Sequence, residues 1–237
     1  MRALPLRLLL LAATGLTGCF TLPLDAPPPE LADRFPAAEK TQREAWEAEL
    51  DVESEALTGR FHAVAIADVG RAPRVRFQLL PDVGGKVLDL AATPDGARGY
   101  MPHAGVVLDA IATDDEPLPR HPIVLFAATL LERATPVSFE RLRGARREPD
   151  GGWTLDLVGA LAGVEVRVAL DAAGSVLRRD YRFRGARWRE EFGPSTHRIE
   201  SASMTIDLSA ETAEVVPVDP AAADDVFALE LPPGPTP

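Results

Sequence analysis

The sequence predicts an α+β fold in which an antiparallel β-sheet takes up most of the chain. Apolar and polar residues alternate with a period of two in several short runs, which is typical of half-buried strands. Turn sequences rich in Pro, Asp and Gly separate these runs, and such short connections join antiparallel neighbours. One apolar segment with nearly helical spacing, residues 121–134, lies between two blocks of strands. We therefore expect a helix that covers one face of the sheet.

The N-terminal segment has the layout of a bacterial lipoprotein signal. A basic start and a short apolar core, residues 8–13, precede the sequence Leu16-Thr17-Gly18-Cys19. This sequence resembles a lipobox, in which the cysteine is acylated and becomes the new N-terminus. The apolar run is shorter than the ~20 residues that a membrane-spanning helix needs. We predict a signal peptide at residues 1–18 and lipidation of Cys19, against the alternative of a plain secretory signal.

An acylated Cys19 would hold the protein on a membrane surface. Each buried methylene of diacylglycerol and palmitate-like chains contributes roughly 0.8 kcal/mol, so two or more chains form a stable anchor. Phe20, not an aspartate, follows the cysteine. By resemblance to enterobacterial lipoproteins, this favours the outer membrane and a domain that faces the periplasm.

Composition limits the partners. The chain of 237 residues is 46% hydrophobic, which suits one domain with a substantial core. The formal net charge of −11 becomes −13 when Arg2 and Arg7 leave with the signal. An acidic surface argues against nucleic acid, because it cannot neutralise phosphates, and against broad adhesion to anionic lipid.

The elements before the sheet are predicted from composition. Residues 19–36 are rich in proline, which favours an extended tether and prevents helix. Residues 37–55 are rich in Glu and Ala, with Trp46 and Leu50 four positions apart, and predict an amphipathic helix. The folded domain is expected at residues 37–231, followed by a frayed tail at 232–237.

Strands are predicted where the alternation is cleanest. Val75, Phe77 and Leu79 alternate with polar residues, and the same pattern recurs over residues 164–170 and 203–208. The predicted order is helix, three or four strands, the helix at 121–134, then five or six strands.

The order and three local stretches resemble the LolA/LolB superfamily of bacterial lipoprotein carriers and receptors. The stretches are Gly59-Arg60-Phe61, the strand–turn–strand–turn block over residues 76–96, and the closing segment 225–234. The resemblance implies an open, half β-barrel with the helix at 121–134 as a lid. It also implies an apolar cavity between sheet and lid that binds acyl chains of lipoproteins or lipids.

The resemblance places Val83 where LolB-type proteins carry a protruding leucine that engages the membrane. Valine is smaller and follows Asp82, which departs from that pattern. Candidate cavity residues are the apolar side chains of the predicted strands and lid, with the alternative that they fill a packed core. They are Phe77, Leu79, Leu88, Leu90, Phe126, Leu130, Trp153, Leu155, Tyr181, Phe183, Met204 and Ile206.

No constellation of catalytic groups emerges from the sequence, so we expect neither an enzyme nor a cofactor. The four histidines, His62, His103, His121 and His197, lack metal-ligand spacing. Residues 195–197 lack the glycines of a hydrolase nucleophile elbow. The acidic runs 114–116 and 224–225 lack calcium-loop spacing and favour solvated loops.

The sequence contains two groups of closely spaced arginines. On strands, these arginines would project outward and pair with the many Asp and Glu residues. The alternative partner is a lipid headgroup or an anionic glycan. The first group is Arg141, Arg143, Arg146 and Arg147, and the second is Arg178, Arg179, Arg182, Arg184, Arg187 and Arg189.

The first functional hypothesis is a lipoprotein that binds acyl chains during delivery of lipoproteins or lipids across the envelope, without covalent chemistry. Its partners would be the membrane, acyl chains, and a periplasmic carrier protein as a candidate. The alternative is a scaffold lipoprotein of an envelope complex with a filled core. A hydrolase has little support, because a paired nucleophile and base is missing.

Overall fold

A computed structural model gives the fold and describes residues 24–55, 57–103, 105–111, 122–194, 196–217 and 225–229. Several sequence predictions lie outside these residues. They are the signal peptide at 1–18, lipidation of Cys19, the acidic run 114–116, His121 and the tail at 232–237.

Within the described residues, strands dominate and two α-helices interrupt them. The helices are α1 (Leu31–Arg34) and α2 (Pro122–Ala134). The strands are β1 (Gln42–Ser54), β2 (Thr58–Val69), β3 (Arg74–Pro81), β4 (Leu88–Thr93), β5 (Gly96–Met101), β6 (Val106–Ile111), β7 (Leu142–Arg147), β8 (Trp153–Val158), β9 (Glu165–Leu170), β10 (Val176–Phe183), β11 (Ala186–Phe192), β12 (His197–Ser201) and β13 (Met204–Val215). Single 3₁₀ turns occur at Phe139–Arg141 and Asp225–Phe227.

The thirteen strands of the described residues belong to one sheet, in the order β6-β5-β4-β3-β2-β1-β13-β12-β11-β10-β9-β8-β7. Every strand pairing is antiparallel, as the short turns predict. The described parts of β6 and β7 do not pair with each other, so the sheet is open. The predicted strands at 75–79, 164–170 and 203–208 are confirmed as parts of β3, β9 and β13.

The helix predicted for residues 37–55 is wrong, because residues 42–54 form β1. This strand lies in the middle of the sheet and pairs with β2 on one side and β13 on the other. Trp46 and Leu50 are buried as predicted, but Val52 is buried on the same face and acidic residues alternate with them. Ladder hydrogen bonds and burial on the sheet therefore override the helix propensity of Ala and Glu.

The helix predicted at 121–134 is present as α2. Every residue from Val124 to Glu132 is buried, and α2 packs on β2, β3, β4 and β5. Its Phe126 ring stacks on Phe77 of β3, with ring centroids 5.2 Å apart. Since a helix that is buried on all sides belongs to the core, α2 fills the inside of the curved sheet in this structure.

Residues 24–35 differ from the extended tether that their prolines predict. Asp25 forms an isolated bridge with Ala145 on the edge strand β7, and the Ala145 N–H donates to the Asp25 carbonyl oxygen at 2.9 Å. The short helix α1 buries Leu31, which is 1% exposed. The described N-terminal segment is thus docked on the sheet.

Near the C-terminus, the one-turn helix Asp225–Phe227 packs on β1 and β3. Arg43 and Arg74 lie over the Phe227 ring, 5.1 Å and 4.3 Å from its centroid. Arg76 donates a hydrogen bond to the Val226 carbonyl oxygen at 3.2 Å. Cation–π contacts and this bond hold the closing segment on the sheet.

Candidate functional site

An apolar cavity lies between α2 and the inner face of the sheet. Its volume is about 40 Å³. The walls come from five strands near the middle of the sheet, β1, β2, β3, β12 and β13, and from one side of α2. The lining residues are Trp46, Glu47, Ala48, Leu50, Ala63, Val64, Ala65, Phe77, Phe126, Thr129, Leu130, Arg133, Ile199, Leu208 and Glu211.

Small side chains create the space beneath α2. The period-two alternation of β1 and β2 directs Ala48, Ala63 and Ala65 towards the helix, between larger residues of the core. Alanine cannot fill the distance between a sheet and a packed helix, so these positions leave a gap. The stacked rings of Phe77 and Phe126 border the same gap.

Polar residues form one rim of the cavity. Nη1 of Arg133, in the last turn of α2, donates to Oε1 of Glu211 on β13 at 2.8 Å. The Arg133 guanidinium also lies over the Trp46 ring, 5.1 Å from its centroid. Trp46 Nε1 donates to Oε2 of Glu44 at 2.9 Å. The contacts of Arg133 therefore join α2 to β1 and β13 at the same point.

Behind this rim, a chain of charged groups continues into the interior. His197 on β12 contacts Glu211 through Nδ1 at 2.7 Å and Glu190 through Nε2 at 2.8 Å. Glu190 is fully buried and accepts hydrogen bonds from Arg179 at 2.9 Å and from the Tyr181 hydroxyl at 2.8 Å. Because each charge has an opposite neighbour, the buried network is satisfied.

The network shifts the pKa values of its members. Burial acts to lower the pKa of His197, but hydrogen bonds and charge from Glu190 and Glu211 outweigh it and raise this pKa. Burial acts to raise the pKa of Glu190, but the Arg179 charge and the His197 contact lower it to about 2. His197 is thus favoured in its protonated form between two carboxylates.

The C-terminal half of α2 has further polar contacts. Glu132, 2% exposed, accepts two hydrogen bonds of 2.6 Å from Nη2 of Arg141, and one of 3.0 Å from the Ala160 N–H. Trp188 Nε1 donates to Oγ1 of Thr129 at 3.2 Å. Glu132 therefore attaches α2 to the β7–β13 half of the sheet.

The structure brings three of the predicted cavity residues to the cavity: Phe77, Phe126 and Leu130. The other nine are buried in the core away from its lining. They are Leu79, Leu88, Leu90, Trp153, Leu155, Tyr181, Phe183, Met204 and Ile206. Trp46 and Leu50, which sequence analysis assigned to a helix outside the sheet, line the cavity instead.

The turn between β3 and β4 presents Val83 to solvent, with 91% of its side chain exposed. His62 lies beside Glu49, and His103 is exposed. Within the described residues, no three His, Cys, Asp or Glu side chains are grouped as a metal site requires. The two ring nitrogens of His197 are both occupied by carboxylates.

Most arginines of the two basic groups have acidic partners. Arg141 binds Glu132, Arg146 binds Glu148, and Arg182 binds Glu165. Arg178 and Arg189 both bind Asp180. Arg179 differs from the outward orientation predicted for these arginines, because it binds Glu190 in the interior.

The cavity volume restricts what can occupy it. A water molecule takes up roughly 30 Å³, whereas ligand pockets usually measure ~300–1,000 Å³. A larger groove of about 420 Å³ lies on the outer face of β1, β2 and β13. Its walls carry Glu49, Asp51, Arg60 and Asp207, so it does not suit an apolar chain.

Comparison with known proteins gives structural similarity alone: no protein-family model and no curated protein sequence matches the chain. An outer-membrane lipoprotein-sorting protein domain from Vibrio parahaemolyticus aligns with a TM-score of 0.53 at 10% identity, over 81% of this chain and 94% of that one. A DUF1329 family protein from Desulfovibrio piger aligns with a TM-score of 0.50 at 13% identity, over 82% and 94%.

A LolA superfamily protein from Nitrosomonas europaea aligns with a TM-score of 0.48 at 10% identity, over 85% of this chain and 96% of that one. None of the described helices has the length and apolar character needed to cross a bilayer. The antiparallel open sheet, its inner helix and the alignment with the lipoprotein-sorting domain agree with the resemblance stated from the sequence. The chain has a LolA/LolB-like fold.

Proposed function

We propose that this chain is an outer-membrane lipoprotein that faces the periplasm and binds acyl chains of lipoproteins or lipids beneath α2. The observation that carries the proposal is the apolar cavity between α2 and the alanines of β1 and β2. Its walls are apolar apart from Thr129 and charged residues at the rim, Glu47, Arg133 and Glu211. An acyl chain with a polar head has the same division between apolar body and charged end.

Acyl binding requires α2 to move, because a cavity of about 40 Å³ does not hold an acyl chain. Movement would break the Arg133–Glu211 ion pair and the stacking of Phe126 on Phe77. A bound chain would replace the apolar contacts of α2, at roughly 25 cal/mol for each Å² of apolar surface removed from water. Binding and release then need no covalent step, since a bilayer buries the chain as well as the protein does.

The fold and the surface support a role in envelope transport. The solved structure with the highest TM-score reported above is a lipoprotein-sorting domain, which makes lipoproteins the first cargo to test. Val83 is positioned on an exposed turn, where it could touch a bilayer during transfer. A periplasmic carrier protein is the corresponding candidate partner, and acylated Cys19 would supply the anchor.

The alternative function is a scaffold lipoprotein with a filled core. The small cavity and the burial of α2 on all sides favour it. In that case the inner face of the sheet stabilises the domain, and binding of partners takes place on the outer face.

Uptake of a fluorescent fatty-acyl probe by the mature chain carrying Cys19→Ser tests the proposal. We expect saturable uptake, together with co-purified acyl ligand in native mass spectrometry. Ala65→Val adds two methyl groups to the cavity lining and should weaken uptake. Ala67→Val, on the same face of β2 but outside the lining, is the matched control. No uptake and no co-purified ligand in the parent chain would leave the scaffold function.

A further inference from the structure

The distance between the predicted anchor and the folded domain is short. Leu24 is docked on the sheet, and five peptide units separate this residue from Cys19. Fully extended, five residues span at most ~17 Å. The headgroup layer of a bilayer accounts for roughly 5–7 Å of that distance. Leu24 therefore stays within about 10 Å of the headgroups, close to one Debye length at physiological salt.

The attachment point is the edge strand β7. Leu24 packs directly on Gly144, where an added Cβ would come within 2.8 Å of the Leu24 Cβ. The next residues, Asp25 and Ala145, share a backbone hydrogen bond. Lipidation of Cys19 would thus hold β7 close to the membrane.

This edge carries positive charge on an acidic protein. Arg143, Arg146 and Arg147 are exposed on β7 and flank the attachment point on both sides. Arg146 is paired with Glu148, whose other partner is the Thr154 hydroxyl. Arg143 and Arg147 have no hydrogen-bond or ion-pair partner among the residues described.

We infer that Arg143 and Arg147 bind anionic phospholipid headgroups of the bilayer in which Cys19 is anchored, and so orient the sheet with β7 towards the membrane. The inference depends on the lipidation of Cys19 in the proposed function. The net charge alone would repel the domain from an anionic surface, and the short link overcomes this by holding these two arginines within reach. Charged side chains on an edge strand also prevent pairing with other strands, and that role is compatible with headgroup binding.

The size of the effect follows from the surface potential of an anionic leaflet. Each arginine near such a surface raises the ratio of membrane-contacting to free populations about fivefold. Loss of both should therefore lower this ratio about twenty-fivefold. The effect should weaken as salt shortens the Debye length.

The test uses the full acylated protein reconstituted in vesicles. Cys19 is the only cysteine, so after its acylation a Pro149→Cys substitution in the exposed β7–β8 turn gives one free thiol for a bimane label. Vesicles of phosphatidylcholine, with or without phosphatidylglycerol, carry a nitroxide-headgroup lipid that quenches bimane on contact. The variants are R143Q/R147Q and, as a control of equal charge, R60Q/R71Q. Arg60 and Arg71 are exposed on β2 and in the β2–β3 turn.

We expect phosphatidylglycerol to increase quenching in the parent and in R60Q/R71Q, but not in R143Q/R147Q. Equal quenching in all three proteins, or equal losses in both double variants, would overturn the inference. Intact mass shows separately whether Cys19 is acylated, and an unmodified cysteine overturns both the anchor and the orientation. Uptake of the acyl probe should be unchanged in R143Q/R147Q. Loss of acyl binding in the parent, with quenching retained, would overturn the proposed cargo but not the orientation.

Discussion

Arg133 and Glu211 lie on opposite sides of the cavity rim and form an ion pair of 2.8 Å between α2 and β13. They are 78 positions apart in the sequence, so only the fold brings them together. The side chains remain about one-quarter exposed, at 24% and 29%. The contact therefore holds α2 over the cavity at a position where solvent can compete for both partners.

Arg133→Gln should speed acyl-probe uptake, because it removes the ion pair and the cation–π contact with Trp46. Partly exposed ion pairs are worth roughly 0–1 kcal/mol, so the free energy of unfolding should change little. Stopped-flow fluorescence and urea denaturation measure the two quantities. Arg198→Gln, which breaks the exposed Arg198–Asp207 pair on the outer face, is the control. An unchanged uptake rate in Arg133→Gln would show that this contact does not limit opening.

The His197 network predicts a stability maximum in mildly acidic solution. The pKa of His197 is raised above 6.5. Its contribution to the stability of the fold is therefore complete below pH 6.5 and is lost as the pH rises through the raised pKa. The pKa values of Glu190 and Glu211 lie below 4.5, so their stabilisation is present above 4.5 and is lost as pH falls through the lowered values. These three groups together stabilise the fold most between pH 4.5 and pH 6.5.

His197→Gln should remove most of the loss of stability above pH 6.5, since the side chain no longer titrates. Urea denaturation at pH values below and well above 6.5 measures this difference. His62→Gln, at a half-exposed site beside Glu49, is the matched control and should retain the pH dependence of the parent. A parent protein that is equally stable below and above pH 6.5 would contradict the prediction.

Glu132→Ala should destabilise the domain strongly. The substitution leaves the Arg141 guanidinium and the partly buried Ala160 N–H without their shared acceptor. Removing one partner of a buried ion pair costs roughly 3–5 kcal/mol, and the lower end applies here because Arg141 is partly exposed. Denaturant unfolding measures the loss. Glu140 is exposed, so Glu140→Ala should have a free energy of unfolding close to that of the parent. A free energy equally close to the parent in Glu132→Ala would exclude a role of Glu132 in holding α2.

Gly144→Val should release the N-terminal segment from β7. Any Cβ at this position meets the Leu24 Cβ at 2.8 Å and the Asp25 carbonyl oxygen at 3.3 Å, so the segment must shift. Hydrogen exchange at the Ala145 amide should become faster, because its hydrogen bond to the Asp25 carbonyl oxygen is lost. Gly85→Val, where a Cβ meets no atom within 4 Å, should leave this exchange unchanged. Continued protection in Gly144→Val would mean that the docked segment tolerates a side chain there.

The strands that the sequence predicted were those in which apolar and polar residues alternate cleanly. The segment containing β1 failed because its Ala and Glu content favours a helix, and a spacing of four between Trp46 and Leu50 satisfies either structure. The alternation of Trp46, Ala48, Leu50 and Val52 with acidic residues was the available signal. It indicates the strand on which the cavity is built.

The candidate site was harder to predict than the fold. Alternation identifies inward-facing residues but does not separate those that pack tightly from those that border a gap. The gap here arises from alanines, which are too common to be informative in a sequence. The polar rim and the network behind it depend on pairs such as Arg133 with Glu211 and His197 with Glu190. Only the fold brings the two members of each pair together.

The pairing of β1 with β13 has a consequence for how the molecule is made. Strands β1 to β6 and β7 to β13 each form a series of sequential hairpins. Among the described strands, only the β1–β13 ladder joins the two series. Glu44 on β1 faces Val215 on β13 in that ladder, across most of the chain. Contacts of such sequence separation form slowly, so we expect the two hairpin series to assemble first and their seam to close as the last, rate-limiting event of folding. Until it closes, a nascent chain has two exposed strand edges at its centre, where a chaperone could bind.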